Sequence, residues 1–337
     1  GMQNNTVLSM QRDQYGNLWL GLDNGIDYVE INSPITYFTH YTNLSAGYAA
    51  VMHKGILYLG TNRGVFYQEW DKLLSNTGDQ EFILVQGTQG QVWDLKVFDE
   101  TLFCGHNSGI FTISEDEATL LSDVQGGWTL IQPEDRDDLL ICGTYDSLVR
   151  FENINGTWLE GQVVKGFAES SRFLANAGPG KLWMSHGYLG VFRLHFNEQY
   201  DSIIKVETYN RNHGFPSDKN INVFEIFDKA VFTTENGFYE YNARTNSFVP
   251  DELMQSTFPA ENIQQIMKDP RGNVWYFTAN NAGVYRLQED GTYFNLDVPF
   301  RELEDRFINY FQFVYPLNEE HVFFGIQDGF VHLSLIH

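Results

Sequence analysis

The stretch Asp13 to Asn32, "DQYGNLWLGLDNGIDYVEIN", is a β-hairpin that the chain writes eight times. The copies read "GNLWLGLDNGIDYV", "GILYLGTNRGVFYQ", "ETLFCGHNSGIFTI", "DLLICGTYDSLVRF", "GKLWMSHGYLGVFRL", "DKAVFTTENGFYEY", "GNVWYFTANNAGVYRL" and "EHVFFGIQDGFVHL". Nine residues separate Gly16 from Gly25, and the same spacing recurs in all copies but Gly180 to Gly190 and Gly272 to Gly283, where the turn absorbs one or two more. The turn glycines fall at 25, 64, 109, 190, 237, 283 and 329, with Ser147 standing in once, so successive copies lie 38 to 47 residues apart. Periods of this length with four short strands each are the signature of propeller blades. The strict alternation excludes a helical solenoid. The expectation is an all-β propeller of four-stranded blades over residues 1–337 as one domain, with eight blades favoured and seven plus an irregular eighth unit as the alternative.

Each letter of the copy has a reason. Gly25 follows Asp23 and Asn24 because a tight turn between antiparallel strands needs positive φ. Trp19 and Gly21 share one face of the second strand, with Leu18 and Leu20 on the other. A small Gly beside a large Trp lets neighbouring sheets approach while the ring fills the gap. Copy four lacks both the Trp and the turn Gly, so its blade is expected to be the least regular.

The preceding strands, such as "QVWDLKVF" and "INVFEIF", are expected to line a central channel, and they embed Ser9, Asp94, Asn176, Glu225, Gln265 and Gln312. Of these, Asp94, Glu225 and Gln265 are the principal channel-lining residues. Fourth strands such as "ITYFTH" and "IIKVET" are expected outermost. The last copy has no fourth strand of its own, so closure is expected from blade-to-blade packing or from a strand beyond His337. The opening "GM" reads as a cloning remnant on a piece of a longer protein.

Composition narrows the function. The 44 acidic residues outnumber 21 basic ones, for a net charge of −23, and no Lys/Arg run appears. Such a field repels phosphate backbones and anionic lipid heads, so neither nucleic acid nor membrane is an expected partner of this stretch. No apolar run approaches the roughly 20 residues a membrane helix needs.

Cys104 and Cys142 occupy equivalent positions of adjacent copies, which should put a whole sheet between them. Disulfide bonding needs Cα atoms within about 7 Å, so both are expected buried and reduced. "GHNSG" at Gly105 to Gly109 puts Ser108 off the centre of a nucleophile elbow and inside the repeat hairpin. The nine histidines show no metal-binding spacing. The acidic clusters at Ser114 to Ala118, Pro133 to Asp138 and Arg301 to Arg306 read as solvated turns. No metal or cofactor is expected.

One set of residues invites a binding role. His106, Tyr145, His186 and Tyr188 sit in turns between second and third strands. Tyr48, Trp93, Trp128 and Arg172 sit in the loops leading into first strands, on the same face of the ring. An aromatic and polar mouth over a channel is where propellers bind sugars, peptides or proteins.

The motif at Asp13 to Asp27, with "GILYLGTNRG" at Gly55 to Gly64 and "GNVW" at Gly272 to Trp275, resembles the two-component regulator propeller repeat of Bacteroides-type sensory proteins. The resemblance implies a fold and a setting rather than catalytic residues. The implied setting is a periplasmic sensory domain, followed in the parent chain by an immunoglobulin-like three-tyrosine domain and a histidine kinase or DNA-binding output. A glycan ligand is implied only by the family.

The resulting expectation is a non-catalytic sensory module that binds a small molecule or oligosaccharide, with homodimer packing as one route to its output. The alternatives are a polysaccharide-acting enzyme using Asp94 and Glu225, which would need both carboxylates in one pocket, and a protein-binding scaffold.

Overall fold

The computed structural model describes residues 3–31, 33–39, 42–75, 81–279 and 281–334. Each of the eight repeats folds as an antiparallel sheet, as the count predicts. Sheet 1 contains Val7–Arg12, Leu18–Leu22 and Ile26–Val29. Sheets 2 to 8 begin with Gly47–His53, Val92–Phe98, Thr129–Ile131, Phe173–Asn176, Asn222–Ile226, Gln265–Lys268 and Phe313–Pro316. Sheet 4, the fourth copy, is the irregular one. Its third strand, Leu148–Ile154, pairs with two short segments, Thr157–Trp158 and Gln162–Val163, in place of a single outer strand.

Closure differs from the expectation. Ile35–Phe38, read from sequence as the outer strand of copy one, instead pairs antiparallel with Gly329–Ser334 and completes sheet 8. The strand missing from the end of the chain is therefore supplied from its beginning. Backbone hydrogen bonding favours this, because the outer edge of sheet 8 would otherwise present unpaired N–H and C=O groups.

Seven apolar cores join sheets 2 to 8 in a closed circuit among the described residues. They lie between sheets 2 and 3, 3 and 4, 4 and 5, 5 and 6, 6 and 7, 7 and 8, and finally 8 and 2. The last of these sets Phe323, Phe330 and Phe38 against Leu57 and Leu59. In each core the face carrying the Trp19-equivalent residue packs on the Leu20-type face of the next sheet.

Glycine makes the approach possible. A Cβ on Gly105 would lie 2.3 Å from the Gly127 carbonyl, and one on Gly143 1.8 Å from that of Ser171. At the closing seam a Cβ on Gly325 would lie 2.3 Å from the Gly47 carbonyl. Where the position holds Ser185, its hydroxyl accepts a bond from Val223 N at 3.3 Å instead. Cys104 and Cys142 fall in consecutive cores on either side of sheet 3, free and buried, and burial pushes both thiols up.

Sheet 1 has the same local chemistry without the cover. Asp13 accepts from Tyr15 N, Asn17 N and the Trp19 indole, as Asp269 does from Arg271 N, Asn273 N and the Trp275 indole. Yet Trp19 is 47% exposed, whereas its equivalents in sheets 2 to 8, from Tyr58 to Phe323, are at most 4% exposed. Ser9, expected in the channel, lies on exposed Val7–Arg12 beside Gly21 of its own sheet.

Two predictions follow from the seam. Deleting residues 1–31 should leave the melting of the ring unchanged, while deleting 1–39 removes the closing strand with buried Phe38 and should lower stability by about 3 kcal/mol or more in denaturant titration. Equal effects from both deletions would contradict this closure.

Beside the same seam, His321 Nδ1 and His332 Nε2 lie 2.9 Å apart, both buried, with Trp70 against each ring. Burial, then the neighbouring His321, pushes His332 down from 6.5 to about 4. Burial also lowers His321, despite Glu320 at 3.9 Å. The folded state thus binds fewer protons than the unfolded chain between these limits, so this stabilisation is complete above pH 6.5 and is lost as pH falls towards 4. The His332 contribution is about 3 kcal/mol, and His332→Phe should flatten that part of the pH–stability curve by this amount.

Candidate functional site

The first strands of sheets 2 to 8 converge on a cavity of about 410 Å³, which is the channel that their sequence predicts. Asp94, Glu225 and Gln265 all line it. A second cavity of about 750 Å³ continues from it, sharing Asp94, Lys96, Gln265 and Gln312 and extending past Met52, Phe98 and Tyr315.

The polar residues of the wall bond from blade to blade. Asp94 accepts from Leu130 N at 3.0 Å and lies 3.2 Å from Lys96, whose ammonium donates to Thr129 Oγ1 and the Leu130 carbonyl. Glu225 accepts from Asn176 Nδ2 at 3.2 Å. Gln312 donates to the side chain of Gln264, and Asn222 to its carbonyl. These bonds satisfy groups that would otherwise be costly to bury.

The mouth is aromatic. Tyr48 and Trp93 sit at register shifts in their strands, between Gly47 and Ala49 and between Val92 and Asp94. An extra residue of this kind re-aims its side chain. Trp93 lies 4.4 Å from Trp128 and 5.5 Å from Tyr48, centroid to centroid. The Trp93 indole donates to Tyr145 Oη at 3.0 Å, and Tyr145 packs edge-on against Trp128 at 5.1 Å.

Phe311 reaches in from the loop before the first strand of sheet 8 and touches Tyr48, Trp93 and Trp128. Arg172 of the loop before sheet 5 lies 4.0 Å above Phe311 and donates to the Tyr310 carbonyl. One short segment thus ties together residues preceding or opening sheets 2, 3, 4 and 5. Burial lowers the Arg172 pKa to about 10, which leaves it charged at neutral pH.

His186 and Tyr188 do not join this cluster. They line an adjacent cavity of about 800 Å³ with Arg172, Lys219 and Tyr310. His106 is a correction. It is 1% exposed, bonded to Ser108 Oγ at 2.7 Å and edge-on to Phe111, so it supports its own hairpin and offers no surface at the mouth. Its turn folds inward because the residue ends the second strand on the packed face.

Phe311, Tyr310, Lys96 and Lys219 were not singled out by the sequence reading. Phe311 stands inside "INYFQFV", two residues before the strand Phe313–Pro316 and one position earlier than Trp128 and Arg172 stand before theirs, and an aromatic so close to the start of a first strand is the signal for it.

The sequence profile of the two component regulator propeller matches residues 1–24, which hold the first two strands of copy one. No curated protein matches the chain by sequence. The extracellular domain of a hybrid two component system from B. thetaiotaomicron superposes with a TM-score of 0.67 at 14% identity, covering 100% of this chain and 46% of its own. Residues 1–24 thus resemble the two component regulator propeller in sequence, and the chain as a whole shares the propeller fold of this domain. A second such domain from the same organism gives 0.61 at 14% identity, over 98% of this chain and 46% of that one. The propeller described here therefore spans less than half the length of these relatives. A catalytically inactive virginiamycin B lyase from Staphylococcus aureus shares the fold at a TM-score of 0.57 and 11% identity, covering 90% of this chain and 99% of the lyase.

The mouth depends on Gly126, whose φ is +80° and whose Cβ, if added, would sit 2.1 Å from the Tyr145 ring. Gly126→Ala should displace Tyr145 from Trp93, lower stability by about 1–3 kcal/mol and shift tryptophan emission. An unchanged spectrum would mean that Tyr145 does not rest on this glycine.

Proposed function

We propose that this chain is the non-catalytic, ligand-receiving propeller of a periplasmic two-component regulator, and that its ligand is a glycan. The observation that carries the reading is the convergence of seven first strands on one channel whose mouth is closed by Tyr48, Trp93, Trp128, Phe311 and Arg172. Stacked rings suit the apolar face of a sugar. The Trp128 indole N–H is buried and meets no acceptor among the described residues, so a ligand oxygen would reach it only through a shift of the surrounding rings. Likeness to extracellular domains of hybrid two component systems supplies the setting.

The proposed mechanism uses the segment that crosses the mouth. Phe311 and Tyr310 tie sheet 8 to residues from distant blades, so a ligand that shifts Phe311 alters how sheet 8 and the closing strand sit. Such a shift reaches the parent chain through blade-to-blade packing, each sheet contacting only its neighbours. The receiver would be the downstream immunoglobulin-like three-tyrosine domain or a second copy of the regulator.

Catalysis by Asp94 and Glu225 fits less well. Both line one cavity, but Asp94 is held by Leu130 N and Lys96, and Glu225 by Asn176. The second reading is a protein-binding scaffold, favoured by the exposed Trp19, Ile26 and Tyr28 of sheet 1.

Thermal melting with a panel of oligosaccharides tests the proposal. A ligand at a hundred times its Kd should stabilise the chain by about 2.7 kcal/mol, with a change in tryptophan emission from the mouth. Turnover of any panel member, or a flat melting temperature across all of them, contradicts it.

A further inference from the structure

We propose that the cavity beside the aromatic mouth binds a carboxylate-bearing saccharide, with Arg172 and Lys219 receiving its carboxylate. The proposal rests on the glycan-sensing reading above and names the chemical class of the ligand.

Charge is the first argument. The chain carries −23 overall, yet this cavity of about 800 Å³ gathers Arg172 and Lys219 against one carboxylate, Glu235. No carboxylate lies within ion-pair distance of Arg172 or Lys219 among the described residues. Arg172 is also desolvated: its guanidinium lies 4.0 Å over Phe311, 4.8 Å over Phe173 and 5.7 Å over Trp128. Its hydrogen bond goes to a neutral acceptor, the Tyr310 carbonyl. A partly buried cation with no counter-ion is unfavourable, and the planar fork of five N–H donors matches a carboxylate in two parallel bonds. An arriving carboxylate supplies the missing charge.

The rest of the cavity fits the body of a sugar. The size lies within the usual range of small-molecule sites. Asn220, Asn222 and Asn262 line it with amides that donate to and accept from hydroxyls. Tyr188 is 72% exposed and Tyr310 50%, and both offer ring faces beside the cations. His186 accepts from Tyr188 N through Nδ1, so its neutral form carries the proton on Nε2. Because Arg172 holds Tyr310 and touches Phe311, a carboxylate drawn to it acts on the segment that closes the channel.

Isothermal titration calorimetry of the purified chain provides the test, using trimers of galacturonate and glucuronate against the neutral trimers of galactose and glucose. The acidic trimers should bind and the neutral ones should bind at least tenfold more weakly, with affinity for the acidic trimers falling as salt rises. Arg172→Gln should weaken acidic binding at least tenfold, Arg172→Lys less, and Lys219→Gln should weaken it without altering the fold. If Arg172→Gln does not fold, the salt dependence and Lys219→Gln decide. Neutral trimers binding as tightly as acidic ones would overturn this inference and leave the glycan-sensing reading standing. Binding of neither kind would remove both.

Discussion

The structure depends on one contact made seven times: the face of a blade bearing a large residue at the Trp19 position lies on the leucine-type face of the next. A sheet with two apolar faces cannot be stable alone in water, and each blade is half of two cores. A linear stack would leave two naked faces at its ends. Circular closure removes them, and here it is made by Phe323 and Phe330 meeting Leu57 and Leu59, fastened by Ile35–Phe38 along the outer edge. Sheet 1 shows the alternative within the same molecule, since it keeps the motif and its Asp–Trp hydrogen bond but leaves Trp19 and Ile26 in solvent.

The repeat was legible because its chemistry is local. Turn glycines, alternating strands and the Gly beside a large residue are needed by every blade, and Gly105, Gly143 and Gly325 sit where a neighbouring backbone comes too close for a side chain. Closure was not legible in the same way. Ile35–Phe38 has the composition of any outer strand, and nothing in its letters says whether it pairs with the sheet before it or with one some 300 residues later. Pairing partners at that separation are chosen by the geometry of the ring.

The candidate site was legible in outline. Tyr48, Trp93, Trp128 and Arg172 were found by their place before or within first strands, and the structure brings them to one mouth with Tyr145. His106 misled because its turn is like the others in sequence while its ring points into the packed face. Phe311 escaped because an aromatic before a strand reads as core until its neighbours across the channel are known. The arrangement that results joins binding to architecture, for the residues that close the mouth are also those that link distant blades.

Amide hydrogen exchange at the closing strand measures the central claim most directly, because backbone N–H groups report local and global opening separately. Amides of residues 35–38 should exchange together with those of 330–333 at the slow rate of global unfolding, while those of residues 7–29 exchange faster. Exchange of residues 35–38 in step with residues 7–29, and apart from the last strand, would show that the ring is not closed by this seam.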